Sequence, residues 1–253
     1  MLIDHFIDQP EIPDDPPKEA IHLRLSKRRD FWQRQAHVLW LVTQGFSLET
    51  EIRFLMAKHL SIDKDSGSIK RAIKSLCDAN VLYRTILKMR STMSVKLAVV
   101  KLTKPGQELC QALGLEVGEN EWERMKRLHE KGCQESAHTC AVLAFTYQAR
   151  RRGWEAGVMP EVDAGRFAPD AVIRDPDNAS KREYVEVEMW TRKSGKWRNM
   201  FDSQGIVHLC ARTPEHREKL IQECLEAKAD RGKATDLYTL FMEEERLWSE
   251  EWC

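Results

Sequence analysis

Apolar residues recur at helical spacing in three successive stretches of the first half of the chain. Phe31, Ala36, Val38, Leu39, Leu41 and Val42 lie between Asp30 and Gly45 and predict a helix capped by the one and ended by the other. Ile52, Leu55, Met56 and Leu60 follow Ser47 and predict a second helix. Glu49 and Glu51 occupy its first turn, where the helix dipole favours anions. After a polar break at 63–67, Ile69, Ala72, Ile73 and Leu76 give a third helix from about Ser68, with Lys70, Arg71 and Lys74 off its apolar face. Asn80 closes it. Two β-rich runs follow, 81–89 and 95–102, separated by a polar turn that begins at Arg90. Thr103, with Pro105 in the first turn, then caps a fourth helix.

Helices are predicted again at 119–131 and 134–152, the second carrying a stripe of Ala137, Cys140, Ala141, Leu143, Ala144 and Tyr147 and ending at Arg150-Arg151-Arg152-Gly153. Strands are predicted at 158–162, 171–174 and 184–188, then a helix from 196, a strand at 206–211 and a helix at 214–228. The fold class is mixed α/β, or α+β. Residues 1–25, with Pro10, Pro13, Pro16 and Pro17 among acids, are expected as a disordered or extended acidic arm. A boundary is placed at the Gly114 to Asn120 stretch, giving domains at 26–115 and 116–230. Residues 231–253 are expected as an acidic, Trp-bearing tail, either a solvated helix or a dock for a basic partner.

Charge changes the picture. The chain of 253 residues carries 40 Lys+Arg and 40 Asp+Glu, net zero. The zero is a sum: residues 1–20 are net −5, residues 21–115 hold 17 basic and seven acidic side chains, net +10, and residues 116–253 are net −5. Such asymmetry points to a nucleic-acid surface on the basic segment. No stretch approaches a membrane helix, and no secretory leader opens the sequence, so the expected location is cytoplasmic. The seven cysteines form no C-x-x-C pair and are expected as reduced thiols. There is no Walker loop, no G-x-G-x-x-G and no H-E-x-x-H.

Three helices, a two-stranded hairpin and a fourth helix are the order of a winged helix-turn-helix domain. The Leu102-Thr103-x-x-Gly106-x-x-Leu109 pattern resembles the wing exit of bacterial winged-helix regulators. The resemblance makes the third helix a recognition helix, with Ser66, Ser68, Lys70, Arg71 and Lys74 facing double-stranded DNA and Lys88 and Arg90 near the wing tip. The plain alternative for these side chains is a solvated face.

In the second half, Glu161 falls in the first predicted strand, Asp170 follows Pro169 at the start of the second, and Glu186 and Glu188 alternate in the third, on one side of it. Carboxylates gathered this way repel unless a cation neutralises them, and Mg²⁺ or Mn²⁺ suits oxygen ligands. The constellation resembles the PD-(D/E)XK, or restriction-endonuclease-like, superfamily. On that resemblance Asp170 and Glu186 are metal ligands, Glu161 is an accessory acid, with Glu135 another candidate, and Glu188 stands where the family has its catalytic lysine. Lys193 and Lys196 follow closely enough to bring an ammonium from the next helix. The whole chain resembles the replication-relaxation-like family of plasmids and mobile elements, through His138-Thr139, Pro169-Asp170, Glu186-Val187-Glu188 with Thr191, and the passage from Val207 to Pro214.

The resemblance implies a DNA-binding protein with a divalent-metal-dependent endonuclease or nickase domain. The alternative is a non-catalytic DNA-binding regulator or replication accessory factor whose nuclease fold is degenerate, and a third reading is a protein-interaction module. A homodimer is expected, since winged-helix proteins often pair to read two half-sites. For Asp170 the plain reading is a strand-start residue, for Glu186 and Glu188 a half-exposed strand face, and for His138, on an apolar helix, a satisfied core histidine.

Overall fold

The three N-terminal helices form where the apolar spacing puts them: α1 Arg29–Thr43, α2 Glu49–Leu60 and α3 Gly67–Asp78. In this computed structural model the described residues are 11–23, 25–63, 66–88, 96–129, 136–159, 168–175, 178–190, 196–242 and 245–253. Two of the expected caps are absent. Asp30 lies inside the first turn of α1, behind Arg28, and Ser47 is buried while Leu48 begins α2, neither helix having a side-chain cap. Both helices are held by burial instead, with Trp32, Leu39, Leu41, Ile52, Leu55 and Met56 fully enclosed. Ser66 does cap α3, its Oγ accepting the Ser68 N–H at 3.4 Å.

The chain then turns through Asn80, at a φ of 56°, into β1 Leu82–Lys88, which pairs with β2 Lys96–Leu102. α4 Lys104–Ala112 follows. Thr103 Oγ1 caps α4 by accepting the Gly106 N–H at 3.1 Å, and it donates back to the Val81 carbonyl at 3.0 Å. A Cβ at Gly106 would stand 2.1 Å from the Val81 oxygen. Gly106→Ala is therefore expected to push α4 off this turn and cost about 2 kcal/mol, within the range for overpacking, read as a fall in the urea midpoint.

The N-terminal expectation is corrected. Residues 11–23 are not an extended arm: Lys18–Leu23 forms a 3-10 helix, Ala20 and Leu23 are buried in the core of α1–α4, and Trp32 Nε1 donates to the Pro13 carbonyl at 2.8 Å. Three apolar residues, Ile12, Ala20 and Leu23, dock a segment whose prolines and acids suggest none. The boundary at 115 also moves. Leu115 is buried in this core and Val117 packs on it, α5 Glu121–His129 is capped by Asn120, and the first compact unit extends to Arg127.

The second unit, mainly Leu128–Cys253, is built on a six-stranded sheet. Its elements are α6 Ser136–Arg151, β3 Glu155–Val158, β4 Ala171–Asp175, β5 Asn178–Glu188, α7 Lys196–Gln204, β6 Val207–Ala211, α8 Pro214–Glu226, β7 Gly232–Asp236, α9 Leu237–Met242 and β8 Glu250–Trp252. The strand order is β3-β4-β5-β6-β7-β8, with β3–β4–β5 antiparallel, β5–β6–β7 parallel and β8 antiparallel to β7. Trp197 and Met200 of α7 and Leu220 and Cys224 of α8 pack with Val207, Leu209 and Ala211 of β6. All five residues of β6 are buried, as a central parallel strand requires.

Two expectations fail here. The first strand is Glu155–Val158, earlier than the 158–162 expected, and Glu161 lies outside the described residues. The C-terminal segment is not a tail: β7 and β8 complete the sheet, and Leu237, Leu240 and Leu247 are buried. Acidity misleads because Asp236 is fully buried and, with Glu250, receives the Arg217 guanidinium at 2.5 and 2.6 Å. No described helix is long and apolar enough to cross a membrane.

Candidate functional site

β5 lies between two kinds of neighbour, antiparallel β4 and parallel β6, and the acidic residues sit where the three strands end together. Pro169-Asp170 leads into β4, and the pairing of Ala171 with Val185 brings Asp170 beside the Glu186 end of β5. Glu186 and Glu188, two apart on a strand, share a side of the sheet. Parallel pairing sets Glu188 opposite Ala211 on β6. α7 begins at Lys196, eight residues after Glu188, and turns its first side chain back onto the strand.

Lys196 Nζ contacts Glu186 Oε1 and lies 2.9 Å from Glu188 Oε2. Glu188 Oε1 accepts the Trp190 N–H at 3.3 Å. Asp170 Oδ2 accepts the Val187 N–H at 2.9 Å and faces His138 Nε2 at 3.2 Å. His138 Nε2 also lies 3.0 Å from the Val187 carbonyl, so it faces two acceptors and carries a proton. None of the three residues is more than 6% exposed. Buried charges of one sign persist only when paired, and Lys196 and His138 are the pairing groups.

The titration of the cluster follows from this. Burial drives the Glu186 carboxyl up, the Asp170 charge adds to it, and Lys196 opposes, leaving Glu186 pushed up to about 8. For Asp170, burial is outweighed by the His138 hydrogen bond and charge, the Lys196 charge and the Val187 N–H, so its carboxyl is held below the ordinary value. Burial works against protonation of His138 and of Lys196, but Asp170 raises the first and Glu186 and Glu188 raise the second.

Four of the expected residues, Asp170, Glu186, Glu188 and Lys196, are thus brought together. Lys193, Glu161, Glu135, Thr191 and Arg90 lie outside the described residues. His138 is partnered, as a buried histidine should be, and its partner is Asp170; the sequence does not reveal that pairing, because 32 residues separate the two. As a cation site the cluster is incomplete: no group of three or more His, Cys, Asp or Glu side chains forms one among the described residues. One donor is nonetheless open, since Glu186 Oε2 is buried without a hydrogen-bond partner there.

In the first unit, Lys70, Arg71 and Lys74 are exposed on α3; Lys88, at the end of β1, is exposed too but clusters with the second unit. Arg71 Nε donates to the Gly67 carbonyl at 3.1 Å, and Lys74 pairs with Asp78 across one helical turn. The hydroxyls of Ser66 and Ser68 bond each other at 2.8 Å at the start of the helix. Comparison with known proteins returns nothing: no protein-family model, no curated protein and no solved structure matches the chain.

Proposed function

We propose that this chain binds double-stranded DNA through its first unit and hydrolyses a phosphodiester bond, by nicking or double-strand cleavage, at the acidic cluster of the second. The observation that carries the reading is the convergence of Glu186 and Glu188 on the ammonium of Lys196, with Asp170 beside them on β4. A lysine beside paired acids suits metal-assisted phosphodiester hydrolysis, the acids for the ion and the ammonium for charge on the phosphate, and here α7 supplies the ammonium that the strand position of Glu188 lacks. The order α1–α2–α3–β1–β2–α4 supports a winged-helix reading of the first unit, and a Pro-Asp and Glu-x-Glu pair on adjacent strands of a mixed sheet supports a restriction-endonuclease-like reading of the second.

Asp170 and the open oxygen of Glu186 would hold Mg²⁺ or Mn²⁺. Bound there, the ion lowers the pKa of water and offsets charge on the phosphate. The protein's own groups do the rest. His138 and the Val187 N–H keep Asp170 ionised and fix its direction. Glu188 holds Lys196 in place, so that its ammonium can donate to a phosphate oxygen. Supercoiled plasmid incubated with either metal is expected to be nicked or linearised by the wild type and untouched by Asp170→Ala. Plasmid left intact by the wild type in both metals would overturn the reading.

A second reading keeps DNA binding without cleavage. It is favoured by the degree to which Lys196 and His138 already neutralise the cluster. Both readings expect charge reversal at Lys70, Arg71 and Lys74 to remove duplex binding, and each lost phosphate contact to lower the slope of log affinity against log salt by about 1. Unchanged affinity in that triple variant would show that α3 does not meet DNA.

A further inference from the structure

The turn from β6 into α8 carries two buried donors that no described residue satisfies. Arg212 Nε and His216 Nε2 are both enclosed and have no hydrogen-bond partner among the described residues. His216 is 9% exposed. Its Nδ1 accepts the Arg212 backbone N–H at 3.4 Å, so the proton of the neutral ring resides on Nε2. Burial first, then the Arg212 and Lys219 charges, hold His216 below its ordinary pKa against the pull of Glu188, which keeps the ring neutral. Unpaired buried donors are rare in folded proteins and call for an acceptor.

Both residues adjoin the acidic cluster. Ala211 pairs with Glu188, so Arg212 is the next residue past Glu188 on the neighbouring strand. The Arg212 guanidinium sits 5.7 Å from the centre of the Trp190 ring, and the backbone N–H of that same Trp190 donates to Glu188. Trp190 is 37% exposed, so part of the ring remains open to solvent. Thr213 caps α8, accepting the His216 N–H at 3.3 Å, and α8 is thirteen residues long. Its dipole adds positive potential to the same turn.

The geometry points to a phosphate subsite formed by Arg212 and His216 on the Trp190 ring, which takes a backbone phosphate of DNA next to the one at Lys196. It rests on the phosphodiesterase reading above. A guanidinium presents a flat fork of donors that matches phosphate oxygens, His216 Nε2 adds a single neutral donor, and the ring keeps the fork flat while offering its open part to a base. Arg212 is a binding and positioning residue in this scheme; the chemistry stays with Asp170, Glu186 and Lys196.

The test follows a short duplex, a 5′-phosphorylated dinucleotide and inorganic phosphate in EDTA, through the part of the tryptophan fluorescence that Trp190→Phe removes. Arg212→Gln is expected to weaken duplex binding about tenfold and to lower the salt slope by about 1. Arg212→Lys should restore the slope but not the full affinity, and His216→Leu should weaken binding with the slope unchanged. With metal present, Arg212→Gln should raise KM about tenfold and leave kcat nearly as it was. Wild-type affinity and slope in a folded Arg212→Gln, or a response to inorganic phosphate with none to the nucleic acids, would overturn the subsite. If the wild type cuts no DNA yet Arg212→Gln still loses duplex affinity, the phosphodiesterase reading falls and the subsite stands. Cleavage by the wild type together with unaltered binding in the variant gives the converse.

Discussion

Lys196→Met is expected to abolish cleavage and to destabilise the second unit by about 3 kcal/mol or more, the cost of breaking a buried ion pair from one side. The ammonium is the counter-charge for two carboxylates on one side of β5. Glu186 and Glu188 are 6% and 4% exposed, so water is a poor substitute for the ammonium. Glu186, pushed up to about 8 with the lysine in place, is largely protonated near neutral pH and stays so without it. Glu188 loses its ion-pair partner. The second variant that makes this specific is Lys196→Met with Glu188→Gln, which removes the unpaired acid and is expected to recover most of the stability and none of the cleavage. Urea denaturation followed by tryptophan fluorescence reads the stability, since Trp197 of α7 is buried beside Lys196. If Lys196→Met unfolds at the wild-type midpoint, the ammonium is not the counter-ion of the cluster.

The sequence made much of this site legible, and unevenly. Asp170, Glu186 and Glu188 stand out because an acid after proline and an i, i+2 pair of acids in a strand leave a pattern in one dimension. Lys196 was visible only as one of two lysines at a workable distance; that α7 turns it onto Glu186 and Glu188 depends on Trp197 and Met200 packing against β6. Arg212 was legible only as part of the Val207 to Pro214 passage and His216 not at all, because what marks them is two buried nitrogens without an acceptor among the described residues. The helices of the first unit were legible from apolar spacing, whereas two of their caps were not, since burial of Trp32 and Ile52 makes a cap unnecessary. The hardest segments were those whose composition opposes their fate. Proline-rich residues 11–23 dock through Ile12, Ala20 and Leu23, and the acidic C-terminus enters the sheet because its charges are paired from afar, at Arg217.

That last pairing carries the other large prediction. A chain ending at Asp230 is expected to lose the fold of its second unit, with the first unit intact; a solvated tail could be removed without effect. Three costs fall together. β6, buried at all five positions, loses the five-residue parallel pairing with β7 and becomes an apolar sheet edge, a template for aggregation. Leu237, Leu240 and Leu247 leave the core, and burial of such a side chain stabilises by about 1.5–3 kcal/mol. Arg217, its side chain only 10% exposed, is stranded without Asp236 and Glu250, which costs about 3–5 kcal/mol by itself. Together the last two come to roughly 7–14 kcal/mol, comparable with the ~5–15 kcal/mol by which domains are stable. Asp236→Ala probes the third cost in part: it takes one of the two carboxylates from that guanidinium and leaves Glu250, and it also unmakes the start of α9, where Asp236 Oδ1 accepts the Thr239 N–H at 2.8 Å. Near-ultraviolet circular dichroism and gel filtration decide the matter. A truncated chain that elutes as a monomer with the wild-type aromatic signal would mean that β7 and β8 are accessories to a sheet that closes without them.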